Sequence, residues 1–324
     1  MKRVIILIVI FTAALFASAQ QQNNQTSVAP KLDPNLEAQI WLDRKSFSPG
    51  EIDGTMGKNT QKALAVFQEL NDIPVSSNPN AKTLELLREE NVEPIVTYTI
   101  TEADVKGPFT EKIPQDFMDQ AQLKSLSYTS EVEALSEKFH VSPEILKKLN
   151  PKSNFAAGAE IRVPNVLPQQ KAPQDKKIQQ VSGKKQTTGN NTVVLSKERQ
   201  DLMVKDGDGK TIFFAPITAG SDLYPYPVGA WKVKGVAKNP TFHYNPELFK
   251  DSKPTHKKAK LPPGPNNPVG TVWIDLTAPH YGLHGTPEPA KIGYSESHGC
   301  IRLTNWDVQE LASLVKVGTP VIFE

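Results

Sequence analysis

Between residues 63 and 70 the apolar side chains Ala63, Leu64, Val66, Phe67 and Leu70 recur at i, i+1, i+3, i+4 and i+7, the spacing of one helix face. A turn-rich connector, 47–57, precedes this helix, and 83–87 adds a further helical stretch, so 34–92 reads as a small all-α bundle. A second small unit is expected over 126–165. Val132, Leu135 and Phe139 mark one short helix, and Ser142-Pro143 opens another with a capping serine and a proline at the first helical position. Ile145, Leu146 and Leu149 form its apolar face, and 159–164 reads as a strand, which makes the unit α+β. Residues 93–125 give little beyond a β-prone run at 97–100.

Past residue 191 the period shortens to two. Strands are expected at 192–195, around Leu202 and Val204, at 211–215 across the Asp206-Gly207-Asp208-Gly209 turn, at 231–233, at 271–276 and at 321–323. One late helix interrupts them. Thr304 and Asn305 offer caps, Asp307 suits its positive end, Val308, Leu311, Ala312 and Val315 form its inner face, and Gly318 ends it. The chain is therefore expected to be multidomain, with a mainly-β domain over 191–324 that carries one C-terminal helix.

Composition changes this picture at the joints. At 324 residues the chain exceeds what one core usually serves, and its 27 prolines favour linkers and irregular loops. Residues 20–33 and 166–190 are polar, the latter rich in Lys, Gln and Pro, and read as a flexible start and a linker. Residues 237–270 lack periodicity, and so long an irregular stretch inside a domain suggests a lid or substrate wall. The first nineteen residues read as a signal peptide: Lys2 and Arg3, an apolar run over 4–16, then Ala17-Ser18-Ala19. An uncleaved anchor is the alternative. No cysteine follows the run, which speaks against lipid attachment. Loss of Lys2 and Arg3 takes the formal charge from +2 to zero, so nothing electrostatic points to nucleic acid or a membrane surface.

The only cysteine stands in Ser297-His298-Gly299-Cys300-Ile301-Arg302, shortly after His284-Gly285-Thr286. A single thiol allows no internal disulfide, and outside the cytoplasm it invites a functional reason. Three readings are open: a nucleophile with histidine as proton acceptor, a metal site, or a buried Cys/His pair. His298 and Cys300 have one residue between them, closer than paired zinc ligands usually stand. The acidic turn at 206–209 lacks the remaining calcium ligands at the right offsets. No metal or cofactor is expected.

Three resemblances add to this. Residues 34–92 resemble a peptidoglycan-binding domain of the three-helix type through Pro49-Gly50, Ile52-Asp53-Gly54, Gly57, Thr60, Ala63 and Phe67-Gln68. Residues 126–165 resemble a LysM module, a βααβ glycan binder, through Tyr128, Leu135, Phe139, Val141-Ser142, Leu149-Asn150-Pro151, Gly158 and Ile161 to Pro164, with 130–134 departing from the family's Gly-Asp-Thr turn. The region 191–324 resembles L,D-transpeptidases with a YkuD-type catalytic domain. The two histidine motifs, Asn305, Pro227-Val228-Gly229, the 263–270 run and Val317-Gly318-Thr319-Pro320 carry that likeness.

The resemblance implies roles. Cys300 matches the nucleophile, His284 the proton acceptor, the Gly285 carbonyl the group that orients it, and His298 a second, supporting histidine. Arg302, Ser297 and Gly299 fall where substrate is held, with Arg302 bracing the loop and Ser297 a turn residue as the alternatives; arginine suits a carboxylate because its planar fork bonds both oxygens, and Gly299 lets backbone approach substrate. It further implies a thioester acyl-enzyme on a stem tetrapeptide, release of D-alanine, 3→3 cross-links and acylation by carbapenems. Peptidoglycan is the expected partner, in the periplasm or at the cell wall, with the chain a monomer. An envelope-protein lysine or water as acceptor, and a wall-binding protein without activity, remain open.

Overall fold

A computed structural model describes residues 32–166, 189–221 and 224–324. Asp33 to Glu324 form one unit. The signal-peptide reading at 1–19 and nearly all of the linker reading at 166–190 lie outside the described residues. Among the described residues no helix is long and apolar enough to cross a membrane.

Three helices come first: α1 (Pro34–Arg44), α2 (Lys58–Leu70) and α3 (Ala81–Leu87). Asp33 caps α1 and Asn80 caps α3 by accepting from backbone N–H groups of the first turn. Ala63, Leu64, Val66 and Phe67 of α2 are buried against Trp41 and Leu42 of α1. Leu70, expected on the same face, is 48% exposed because it is the last residue of α2, beyond its partner helices.

The second unit contains β1 (Ile95–Thr99), α4 (Glu102–Val105), α5 (Phe117–Gln120), α6 (Glu131–Lys138), α7 (Pro143–Leu149) and β2 (Glu160–Pro164). Strands β1 and β2 pair antiparallel, Tyr98 opposite Ile161 and Val96 opposite Val163. The unit thus begins near residue 95, earlier than the expected 126. Its opening strand is Ile95–Thr99, and α4 and α5 fall between that strand and α6. Ser142 caps α7 with its hydroxyl accepting from Ile145 N–H at 3.2 Å.

The remaining elements are β3 (Thr192–Ser196), β4 (Asp201–Lys205), β5 (Thr211–Pro216), β6 (Gly229–Lys238), β7 (Phe242–Tyr244), β8 (Ala259–Leu261), β9 (Val272–Leu276), β10 (Gly282–His284), β11 (Ile301–Arg302), α8 (Asn305–Leu314) and β12 (Pro320–Phe323). Eight of these strands form one sheet in the order β11-β10-β9-β6-β12-β3-β4-β5. The pairs β10/β11 and β12/β3 are parallel and the others antiparallel. Alternation sends Val193, Leu195, Leu202, Val204 and Phe213 inward, where they meet Val308, Leu311 and Leu314 of α8, all essentially unexposed. The irregular stretch expected at 237–270 contains a small hairpin, β7 with β8.

The edge strand β5 does not lie bare. Ser48 N–H donates to Phe214 O and Phe214 N–H donates to Ser46 O, at 2.9 and 2.8 Å. Phe213 packs into the sheet's core while its neighbour Phe214 packs into the helical core with Trp41, Leu64 and Phe67. One strand therefore serves two cores, and its edge is covered rather than left free to pair with another chain.

Candidate functional site

The site grows from strand register. His284 stands opposite Arg302 in the parallel pair and opposite Trp273 in the antiparallel one. Leu283 and Ile301, one step along, are fully buried in the core. Side chains alternate along strands, so His284 and Arg302 take the other face. Cys300 immediately precedes β11 and shares that face with Arg302. Cys300, His284 and Arg302, far apart in the chain, are thereby brought together at one end of the sheet.

The imidazole of His284 is buried, and its Nδ1 lies 2.7 Å from Gly285 O. A carbonyl only accepts, so Nδ1 carries the proton and Nε2 keeps a lone pair. Burial and then the nearby Arg302 charge push the imidazole down to about 3, so the ring is neutral at physiological pH. The indole of Trp273 lies flat on it, 5.4 Å between ring centroids and 16° between planes. Gly282 makes this possible: a Cβ there would stand 2.4 Å from the indole.

The Cys300 thiol is partly open to solvent, yet its sulfur is hemmed in enough that desolvation pushes it above the ordinary thiol range. The Gly282 backbone N–H and the Arg302 charge work in the opposite direction. The sulfur donates weakly to His280 O at 3.6 Å. Burial thus disfavours the charged form of both the Cys300 thiol and the His284 imidazole.

The loop before the cysteine is shaped by Ser297. Its buried hydroxyl donates to Cys300 O at 2.6 Å and accepts from Gly299 N–H at 3.2 Å. Those bonds turn the Ser297 hydroxyl into the loop, as a turn residue would be. Gly299 has φ +104, a left-handed conformation that a side chain strains, and a Cβ would come within 3.3 Å of Tyr281. Arg302 donates through Nη1 to Glu296 O at 3.3 Å. His298 meets Asp251: its Nε2 lies 3.0 and 3.1 Å from the two carboxylate oxygens.

Asn305 of the motif ties the floor together. Its Oδ1 accepts from Thr271 N–H at 3.0 Å and its Nδ2 donates to Pro265 O at 3.2 Å. Tryptophan 273, Gly282, Asp251 and Asn305's bonding role were not legible beforehand. Only Trp273 left a trace, as part of the 271–276 strand. Among the described residues no group of three or more His, Cys, Asp or Glu is placed to hold a metal ion.

The fold and the chain's two histidine motifs can be set beside known families. Residues 190–323 match the YkuD family, the L,D-transpeptidase catalytic domain, and 35–87 match the peptidoglycan binding domain family. The chain thus contains a YkuD-type L,D-transpeptidase catalytic domain behind an N-terminal peptidoglycan-binding domain. A Bacillus licheniformis protein named as an L,D-transpeptidase, YkuD, is 52% identical over 59 residues, 18% of this chain and 36% of that one. YqjB of Bacillus subtilis, named likewise, is 35% identical over 105 residues, 28% and 60% of the two chains. YbiS of Escherichia coli, also so named, is 31% identical over 137 residues, 40% and 44%. The chain spans about a third of the length of the two YkuD proteins, 36% and 35%. A solved L,D-transpeptidase from Mycobacterium smegmatis has 22% identity and a TM-score of 0.34 over 42% of this chain and 58% of that one.

Proposed function

We propose that the chain is a cysteine-dependent L,D-transpeptidase acting on peptidoglycan stem tetrapeptides outside the inner membrane, in the periplasm or at the wall. One observation carries the reading: His284 Nδ1 is committed to Gly285 O, which leaves Nε2 as a proton acceptor on the face shared with Cys300. Cys300 Sγ attacks the carbonyl carbon of the third stem residue as its proton passes to Nε2, and backbone N–H groups beside the cysteine steady the oxyanion. The C–N bond to the terminal D-alanine breaks, and the departing amine takes the proton from the imidazolium. The neighbouring Arg302 charge, which disfavours that imidazolium, hastens this return.

A thioester remains. The side-chain amine of another stem's third residue attacks it, a 3→3 cross-link forms, and the thiol is regenerated. Water attacking the same thioester gives the tripeptide instead, and exclusion of water therefore sets the outcome. In this reading the helical unit binds peptidoglycan, and the unit from β1 to β2 is a LysM-like module with two further short helices, α4 and α5. The test is incubation of the mature chain with disaccharide-tetrapeptide, read by mass spectrometry. A cross-linked dimer that has lost one D-alanine supports the reading; unchanged tetrapeptide refutes it.

A further inference from the structure

His298 is not left to solvent. Both oxygens of Asp251 take its Nε2, and Tyr224 O–H donates to the same carboxylate at 3.2 Å. The rings of Tyr224 and Phe249 flank the imidazole, each 5.0 Å away by centroid. Asp251 and Phe249 belong to the stretch between β7 and β8, the wall that faces the cysteine loop. That wall is itself gripped from its other side. Phe117 of α5 packs edge-on against Phe242, Tyr244 and Phe249 at 6.0, 4.9 and 6.3 Å. Asp116 pairs with Lys253 at 2.5 Å and with His256 at 3.3 Å.

We propose that Asp251 is a positioning residue for acyl transfer: it ties the His298 imidazole, and with it the loop 297–300 that carries the nucleophile, to the wall between β7 and β8. The inference rests on the cysteine reading above and adds what holds its second histidine. A carboxylate gripping one ring nitrogen with two oxygens restrains both ring plane and loop, and attack by sulfur tolerates little displacement. The grip continues through Phe249 and Phe117 into the unit between β1 and β2, so that unit braces the wall. Asp251 itself is 62% exposed, and His298 holds its carboxyl below the usual carboxylate range. A solvent-exposed pair of this kind contributes little to folding, which separates positioning from stability in a test.

The test compares Asp251→Asn, Asp251→Glu, His298→Gln and the Asp251→Asn/His298→Gln double variant on disaccharide-tetrapeptide. The expected result for Asp251→Asn is a kcat about 10- to 100-fold lower, with KM and melting temperature near the wild type. Asp251→Glu recovers part of the loss, and the double variant is no slower than His298→Gln. The proposal is overturned by an unchanged kcat, by a loss that tracks a fallen melting temperature, or by a double variant slowed by the full product of the single effects. A wild-type chain that turns over no tetrapeptide overturns the cysteine reading and this inference together; an active wild type with indifferent Asp251 variants overturns this inference alone.

Discussion

The indole of Trp273 and the imidazole of His284 lie face to face, 5.4 Å apart and 16° from parallel, on neighbouring antiparallel strands. One face of the histidine is thereby covered, its Nδ1 edge is taken by Gly285 O, and Nε2 keeps its lone pair.

This enclosure fixes the pH behaviour. His284 is pushed down to about 3 and the Cys300 thiol upward. Between pH 5 and 8 the imidazole stays neutral, so kcat/KM should show no acid limb near the ordinary histidine value of about 6.5. Alkylation of Cys300 by iodoacetamide should keep accelerating as pH rises past 8, because little thiolate exists at rest. A plateau of alkylation already reached by pH 6 would mean a preformed thiolate and would contradict the assignment.

Gly282→Ala should disorient the base without touching it. Its Cβ would meet the Trp273 ring at 2.4 Å and force the indole off His284. The expected outcome is a loss of about 100-fold in kcat/KM and a destabilisation of about 1–3 kcal/mol by overpacking, read by steady-state kinetics and denaturant unfolding.

Ser297→Ala removes the hydroxyl that links Cys300 O to Gly299 N–H. Loss of a buried bond of this kind costs about 1–3 kcal/mol when its partner stays buried. Because that hydroxyl faces the loop, KM should stay near its wild-type value while kcat falls. A raised KM with unaltered kcat would instead place Ser297 on the substrate.

Much of this was readable along the chain and some was not. Strands such as Thr192–Ser196 and the helix Asn305–Leu314 announce themselves because local alternation and capping match the burial that packing imposes. The strand Ile95–Thr99 stays hidden as the partner of Glu160–Pro164, since the two lie some sixty residues apart and α4 and α5 intervene. Cys300, His284 and His298 stand out by residue type. Trp273 and Asp251 do not, because their importance arises only when register and the wall's folding bring them to those histidines. Nor does the spacing of Cys300 and His284 reveal that both rest uncharged; that follows from burial.

Helix α6 meets α8. Burial pushes Glu137 up to about 8 and Asp307 up to about 7, beside a His140 that is itself raised through Asp43 despite its burial. His140 stacks on Trp306 at 5.1 Å, so these groups sit between the unit of β1 and β2 and the domain of the eight-stranded sheet. All three bind protons more tightly folded than unfolded. Their contribution is complete at pH values below the unfolded pKa, about 4 to 6.5, and disappears as pH rises through the folded values, about 8 for Glu137 and about 7 for Asp307, with His140 shifted in the same direction. The melting temperature should therefore fall between pH 5 and 9, and Glu137→Gln, which cannot ionise, should flatten that fall. Parallel curves for the two proteins would refute it.

The central claim, that Cys300 is the acyl-accepting nucleophile, is tested most directly by intact mass after incubation with a carbapenem. One covalent equivalent on the wild-type chain and none on Cys300→Ala is the expected result. An adduct of equal yield on the alanine variant, or none on the wild type, would contradict it.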